Sequence, residues 1–429
     1  MSESTTRLPG LTLTERAFDV PLDHERPEGE RITVFAREAV ATGKEEKDLP
    51  WLLFLQGGPG FGAPRPVEKS GWVKRASEEF RVLLFDQRGT GRSTPVCDRT
   101  LARLAGARAQ ADYLSLFRAD SIVRDAECIR RELVGDDGRW SVLGQSFGGF
   151  CALTYLSFHP AGLREVLFTG GLPPLAASAE DVYRRTFERV RERNRRYYER
   201  YPADVERARA IATHLAAHDV ELPGGGPLTP RRFQQLGMGF GMSDGFEPVH
   251  YLIEDAFVVG PEGPELSTVF LRGFENLLPF DTNPIYAALH EPCYCQGEAS
   301  DWAAERVRAE QDGFEASGGG PLFFTGEMVF PWMFDDYARL RPLKEAAGIL
   351  ARKDDWPPLY DAERLRANEV PCAAAVYYDD MYVEHEYSAQ TARAVRGMRT
   401  WVTNEFDHNG LRAHGDVILE RLLALARGL

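Results

Sequence analysis

A chain of 429 residues with 43% apolar content exceeds what one hydrophobic core usually organises, which predicts a large domain with an insertion, or two domains. Its 51 basic against 65 acidic residues leave a net charge of −14, so nucleic acid and anionic membrane surfaces are excluded as natural partners. The polar first ten residues lack the features of an export signal and no apolar run is long enough to span a bilayer; the six scattered cysteines then predict reduced thiols in a cytoplasmic protein.

Residues 16–20 and 31–40 read as two antiparallel edge strands joined by a Pro/Asp/Gly turn. The run 50–55 is apolar throughout, which predicts a strand buried on both faces of a parallel sheet. It ends in Gln56-Gly57-Gly58-Pro59-Gly60, where glycines leave backbone N–H groups unshielded, as an oxyanion hole requires. A second buried strand, 81–85, leads into Asp86-Gln87-Arg88-Gly89-Thr90-Gly91-Arg92-Ser93. The third glycine of a dinucleotide fingerprint is missing there, so nucleotide binding is rejected, and Asp86 and the arginines are expected to brace loops. An amphipathic helix over 120–133 crosses to a strand ending in Gly144-Gln145-Ser146-Phe147-Gly148, and a helix pattern follows to residue 158. Gly-x-Ser-x-Gly between strand and helix predicts a nucleophile elbow, with Ser146 at a strained apex and at the positive end of the helix dipole.

A further strand over 164–168 continues this rhythm, which breaks near Pro173-Pro174. Helical patterns then dominate (181–201, 205–218, 231–239, 250–258 and 305–314), separated by Gly/Pro-rich stretches such as 260–264. The Arg/Glu-dense run 185–200 is expected to be a solvated helix face. Sheet pattern resumes at 370–380, a last strand at 400–403 follows, and an amphipathic helix over 417–426 closes the chain. The expected organisation is an α/β core formed by 1–174 and 351–429, a mostly parallel sheet flanked by helices, with a large helical cap over 175–350.

A serine hydroxyl needs a base, and the base an orienting carboxylate, in the chain order Ser, acid, His. Among the histidines of the late sheet, His408 follows a strand directly and enters an Asn-Gly turn, whereas His414 begins a helix and His385 is too near the candidate acids. Asp379 and Asp380 compete for the acid; counting the strand from Pro371 puts Asp380 at the turn position and leaves Asp379 to brace the loop. The N–H groups of Gly57 and Phe147 are the expected oxyanion donors. No His-Glu-x-x-His occurs, and Cys293-x-Cys295 has the wrong spacing for a redox or zinc pair, so no metal or cofactor is expected.

With these residues in place the chain resembles the proline iminopeptidases, serine peptidases of the α/β-hydrolase fold, and most of all their longer-chain branch. The resemblance rests on residues 56–60, 86–93 and 144–149 with the late Asp380 and His408, and it departs from the family at Gln56, where histidine is usual. It implies release of N-terminal proline from small peptides and two cap glutamates that anchor the substrate's free imino group. Glu254 matches the first of these and Glu327 is the choice for the second. Esterase, lactonase or amide hydrolase activity on the same scaffold, a tripeptidyl aminopeptidase, and an inactive binding protein of this fold are the alternatives.

Overall fold

In the computed structural model, which describes residues 4–261, 263–316 and 320–429, nine strands form one sheet. They are β1 (Thr5–Leu8), β2 (Leu11–Pro21), β3 (Arg31–Ala41), β4 (Trp51–Leu55), β5 (Arg81–Asp86), β6 (Trp140–Gln145), β7 (Leu163–Thr169) and, after an insertion that carries its own hairpin β8 (Phe257–Gly260) and β9 (Gly263–Leu266), β10 (Cys372–Tyr377) and β11 (Met398–Thr403). Their spatial order is β1-β2-β3-β5-β4-β6-β7-β10-β11. The first three strands and the β3–β5 junction are antiparallel, and every pairing from β5 to β11 is parallel.

The all-apolar strands are buried on both faces, as their composition predicts. Alternate side chains point to opposite sides, so Leu53 and Leu55 of β4 join one core while Leu52 and Phe54 join another. The first core is covered by the helices Ala119–Val134 and Phe147–Phe158 together with the insertion. The second is covered by the short helix Gly71–Ala76 and the last helix, Gly415–Arg427, through Trp72, Val73, Ile418, Leu419, Leu422 and Leu423. Phe147–Phe158 is apolar on all sides, and every residue but Phe158 is buried.

The chain leaves the sheet after β7 and returns at β10, and most of what lies between is helical. Helices Ala179–Arg200 and Asp204–Ala217 match their sequence patterns. Elsewhere the pattern misleads. The helix expected over 250–258 is Phe246–Glu254, and Val258 belongs to β8, because β-branched Val258 and Val259 next to glycines favour a hairpin with Gly260 paired to Gly263. The helix expected over 231–239 is one turn, Pro230–Phe233, followed by a 3₁₀ stretch, Gln234–Gly241, whose three glycines weaken a regular helix. The helix expected over 305–314 is Ala303–Ala309, and Gly313, at φ +89°, lies beyond its end. The insertion packs on loops at the carboxyl ends of the parallel strands: a side-chain carbon at Gly60, after β4, would lie 2.9 Å from Tyr286 N, and the backbone N–H of His408, after β11, donates to Gly241 O at 3.2 Å.

Candidate active site

Ser146 stands between β6 and the helix Phe147–Phe158 with φ 54° and ψ −126°, a left-handed conformation that side chains rarely adopt. Close packing imposes this bend. A side-chain carbon at Gly148 would sit 1.9 Å from Leu55 O, and one at Gly57 would sit 2.8 Å from Ser146 Cβ. Gly57 therefore lies against Ser146, and Phe147 is the first residue of the helix, where N–H groups have no partner within the helix. Both expected oxyanion donors are adjacent to the serine.

The loop that carries Gly57 is held from below. Gln87 Nε2 donates to Gln56 O at 2.9 Å, so the carbonyl of the residue that departs from the family pattern is fixed by a side-chain amide. Asp86, fully buried, accepts from Ala63 N at 2.8 Å, from Arg92 N at 2.9 Å and from both ends of the Arg65 guanidinium at 2.8 and 2.6 Å. Arg88 braces a different region: it is buried, pairs with Asp125 at 2.6 and 2.7 Å, and binds the carbonyls of Leu22 and Leu116.

His408 and Asp380, both buried, meet with Nδ1 2.7 Å from Oδ2. The other oxygen of Asp380 accepts from the backbone N–H groups of Tyr382 (2.8 Å) and Val383 (3.1 Å). A carboxylate oxygen only accepts, so Nδ1 donates and Nε2 is left free to take a proton. Asp379 turns away and pairs with Arg196 at 3.1 and 3.4 Å. His385 starts the helix His385–Ala394 beside Glu384 and Tyr378, and His414 lies between two helices against Phe406. Ser146 and His408 converge on Gly170-Gly171. Ser146 N donates to Thr169 O at 3.1 Å, a side-chain carbon at Gly171 would lie 2.5 Å from Ser146 O, and one at Gly170 would lie 3.1 Å from His408 Nδ1. Burial disfavours the charged imidazole, but Asp380, with Glu327 and Asp407 behind it, outweighs burial and raises the pKa of His408 above the ordinary histidine value.

A family model for the α/β-hydrolase fold matches residues 50–238. A proline iminopeptidase of Aeromonas sobria is 53% identical over 421 residues, covering 98% of each chain. This chain belongs to the proline iminopeptidase family. A proline iminopeptidase of Aspergillus aculeatus is 38% identical and covers 97% of this chain and 94% of its own. One from Thermoplasma volcanium is 26% identical over 141 residues, which are 33% of this chain and 41% of that one.

The family resemblance expects a carboxylate for the substrate amine, and the two candidates differ sharply in placement. Glu327 is walled in by aromatic rings, with 18% of its side-chain surface still accessible. Tyr286 donates its hydroxyl to Oε1 at 2.6 Å, and His290 Nε2 lies 3.5 Å from Oε2 while Tyr183 OH meets its Nδ1 at 3.1 Å. Burial alone would raise the Glu327 pKa, but His290, Tyr286 and His408 together hold it below the ordinary glutamate value. Burial also pushes the Tyr286 hydroxyl well above the ordinary phenol range, so it remains a donor. Ring contacts join Phe147 to Phe150, Phe150 to Tyr294, Tyr294 to His290, His290 to Tyr286 and Tyr286 to Phe61, so one aromatic wall runs from beside Ser146 to the loop after Gly60. Glu254 is not brought to this wall. It ends the helix Phe246–Glu254 on the exposed side, 46% accessible, with Arg207 at 3.6 Å.

Sequence reasoning missed Tyr183, Tyr286, His290, Tyr382 and Arg193. Tyr286 and His290 are four apart and so share one helical face, a signal that a search for paired polar aromatics could have used. Tyr382, whose ring centre lies 4.6 Å from that of His408, and Arg193 carry no comparable local signal. Among the described residues no group of His, Cys, Asp or Glu is arranged to hold a metal ion, and no helix is long and apolar enough to cross a membrane.

Proposed function

We propose that this chain releases proline from the amino terminus of small peptides by serine acyl transfer beneath a cap formed by 175–350. Ser146 Oγ attacks the scissile carbonyl while His408 Nε2 takes its proton, and the N–H groups of Gly57 and Phe147 stabilise the charge that develops on the carbonyl oxygen. Collapse of this intermediate breaks the C–N bond, the leaving amine takes the proton from His408, and a water molecule then repeats the sequence on the prolyl ester. Asp380 holds the imidazole in the tautomer that keeps Nε2 free. Near-full-length likeness to two proline iminopeptidases supports the reaction. The single observation that carries the demand for a free amine is Glu327, a largely buried anion held by Tyr286 and His290 and close enough to His408 for each to shift the other's pKa, where a protonated imino group would replace lost solvation.

Turnover of proline-β-naphthylamide, its N-acetylated form and a p-nitrophenyl ester tests this. Wild type is expected to cleave the free-amine amide and not the acetylated one. Glu327→Gln is expected to lose about 100-fold in kcat/KM on the free-amine substrate, a charged hydrogen bond's worth, and to keep ester hydrolysis within about threefold. Glu254→Gln is expected to leave both rates within about twofold, as suits an exposed ion pair. Equal cleavage of free and acetylated amides would overturn the exopeptidase reading.

A further inference from the structure

Most charged residues of the segment 185–200 form the expected solvated face, with Arg185, Glu188, Glu192, Arg195, Glu199 and Arg200 exposed, but one edge of the helix does not. Three arginines of the helix Ala179–Arg200 reach the loops after β10 and β11: Arg189 binds Glu384 at 2.6 Å, Arg193 binds Asp407 and the carbonyl of Asp379, and Arg196, still 39% accessible, binds the carboxylate of Asp379. Arg193 is the deepest of them, with 9% of its side chain accessible. Its Nη2 donates to Asp379 O at 2.9 Å and to the Asp407 carboxylate. Asp379 directly precedes Asp380, and Asp407 directly precedes His408.

We propose that Arg193 is a positioning residue for the proton-transfer pair, tying the residue before Asp380 to the residue before His408 and offsetting the charge that Asp407 presents to the imidazole. The two loops come from different strands, and their relative position sets the His408–Asp380 contact. A planar guanidinium can bind a carbonyl and a carboxylate at once, which a lysine ammonium does with poorer definition. The helix that supplies it belongs to the insertion, which grips the same loops elsewhere: Gly241 O accepts from His408 N, and Ser243 exchanges hydrogen bonds with Asn409 at 3.0 and 3.1 Å. The cap therefore takes part in setting the triad geometry as well as covering it.

The electrostatic part separates this role from simple bracing. His408 is faced by Asp380 and Tyr382 from the loop after β10, by Asp407 on its own loop and by Glu327 from the insertion. Arg65, Glu68 and Arg412 line a 440 Å³ cleft with it. Asp380, Glu327 and Asp407 all favour the imidazolium. Arg193 is bonded to Asp407, so removing Arg193 leaves that charge uncompensated, whereas neutralising Asp407 removes it.

The test is the pH dependence of kcat/KM for wild type, Arg193→Met, Asp407→Asn and the double variant, read with both proline-β-naphthylamide and a p-nitrophenyl ester so that it stands apart from the substrate reading. His408 must be neutral to accept a proton, so activity is lost as pH falls through its pKa. Arg193→Met is expected to move this acidic limb up by about half a pH unit, Asp407→Asn to move it down by about as much, and the double variant to return it near wild type. Arg193→Met should also lower the plateau about tenfold, and Arg193→Lys should restore the limb more than the plateau. Limbs that stay put, or that move in the same direction in both single variants, would overturn the proposal. If Arg193→Met does not fold, Asp407→Asn, which keeps an acceptor for Arg193, decides alone: an unmoved limb rejects the role.

Discussion

Replacing Ser146 by alanine is expected to lower kcat on proline-β-naphthylamide by about 10⁵-fold, the largest effect of any single substitution in this protein. Among the described residues nothing else in the site can take over the attack, because His408 is committed to Asp380, His290 lies between Tyr183 and Glu327, and the remaining polar groups along the aromatic wall are hydroxyls held protonated by burial or carboxylates. The loss should be chemical rather than structural. Alanine meets the same strain at φ 54° that serine does, and the elbow is held by its neighbours: Ser146 N to Thr169 O at 3.1 Å, Gly149 N to Ser146 O at 2.7 Å, and the close approach of Gly148 to Leu55. A melting temperature within about 3 °C of wild type is the expected control, since the change removes one oxygen from a buried side chain and leaves the backbone hydrogen bonds of the elbow in place. Labelling by a fluorophosphonate should vanish together with turnover. Retained labelling in Ser146→Ala would place the nucleophile at another residue, and a lost fold would show the elbow to depend on the hydroxyl.

How much of this was legible in the sequence follows from which forces are local. Strands β4 and β5 could be read because burial on both faces writes a nearly continuous apolar run, and the elbow because only glycine fits where Gly148 meets Leu55 O. The chain order of serine, acid and histidine then confined the search to the last two parallel strands. The insertion was harder. Glu254 and Glu327 both sit among aromatic neighbours in the sequence, yet the buried residues Phe246, Val249 and Ile253 fix one face of their helix, and Glu254, one step beyond Ile253, is turned about 100° away from it. That rotation was readable. Glu327 lies in a stretch without periodicity, and its burial arises from Tyr286 and His290, 41 and 37 residues earlier, which no local pattern announces. The role of these arginines was hidden for the same reason: a helix repeat shows which residues share a face, but not that the face at 189, 193 and 196 meets acidic loops from another part of the chain.

Those loops set the second large expectation, which separates two neighbouring carboxylates. Asp380→Asn is expected to lower kcat by about 10⁴-fold, whereas Asp379→Asn should change it by less than about threefold. An amide at 380 can donate to Nδ1 as readily as accept from it, which favours the tautomer with the proton on Nε2, the atom that must be free to act as base. It also removes the main group that raises the pKa of His408 against the opposing effect of burial. The sign follows: the imidazole becomes easier to deprotonate, so the acidic limb of kcat/KM, placed above the ordinary histidine value in wild type, moves to lower pH while the plateau collapses. Among the described residues the carboxylate at 379 reaches only Arg196, and the contact that matters, from Arg193 to the backbone carbonyl, survives the change to asparagine. Steady-state rates across pH for the two variants check both parts at once. Comparable losses at 379 and 380 would mean that the geometry of the whole loop, and not the single bond from Asp380 to His408, sustains the proton transfer.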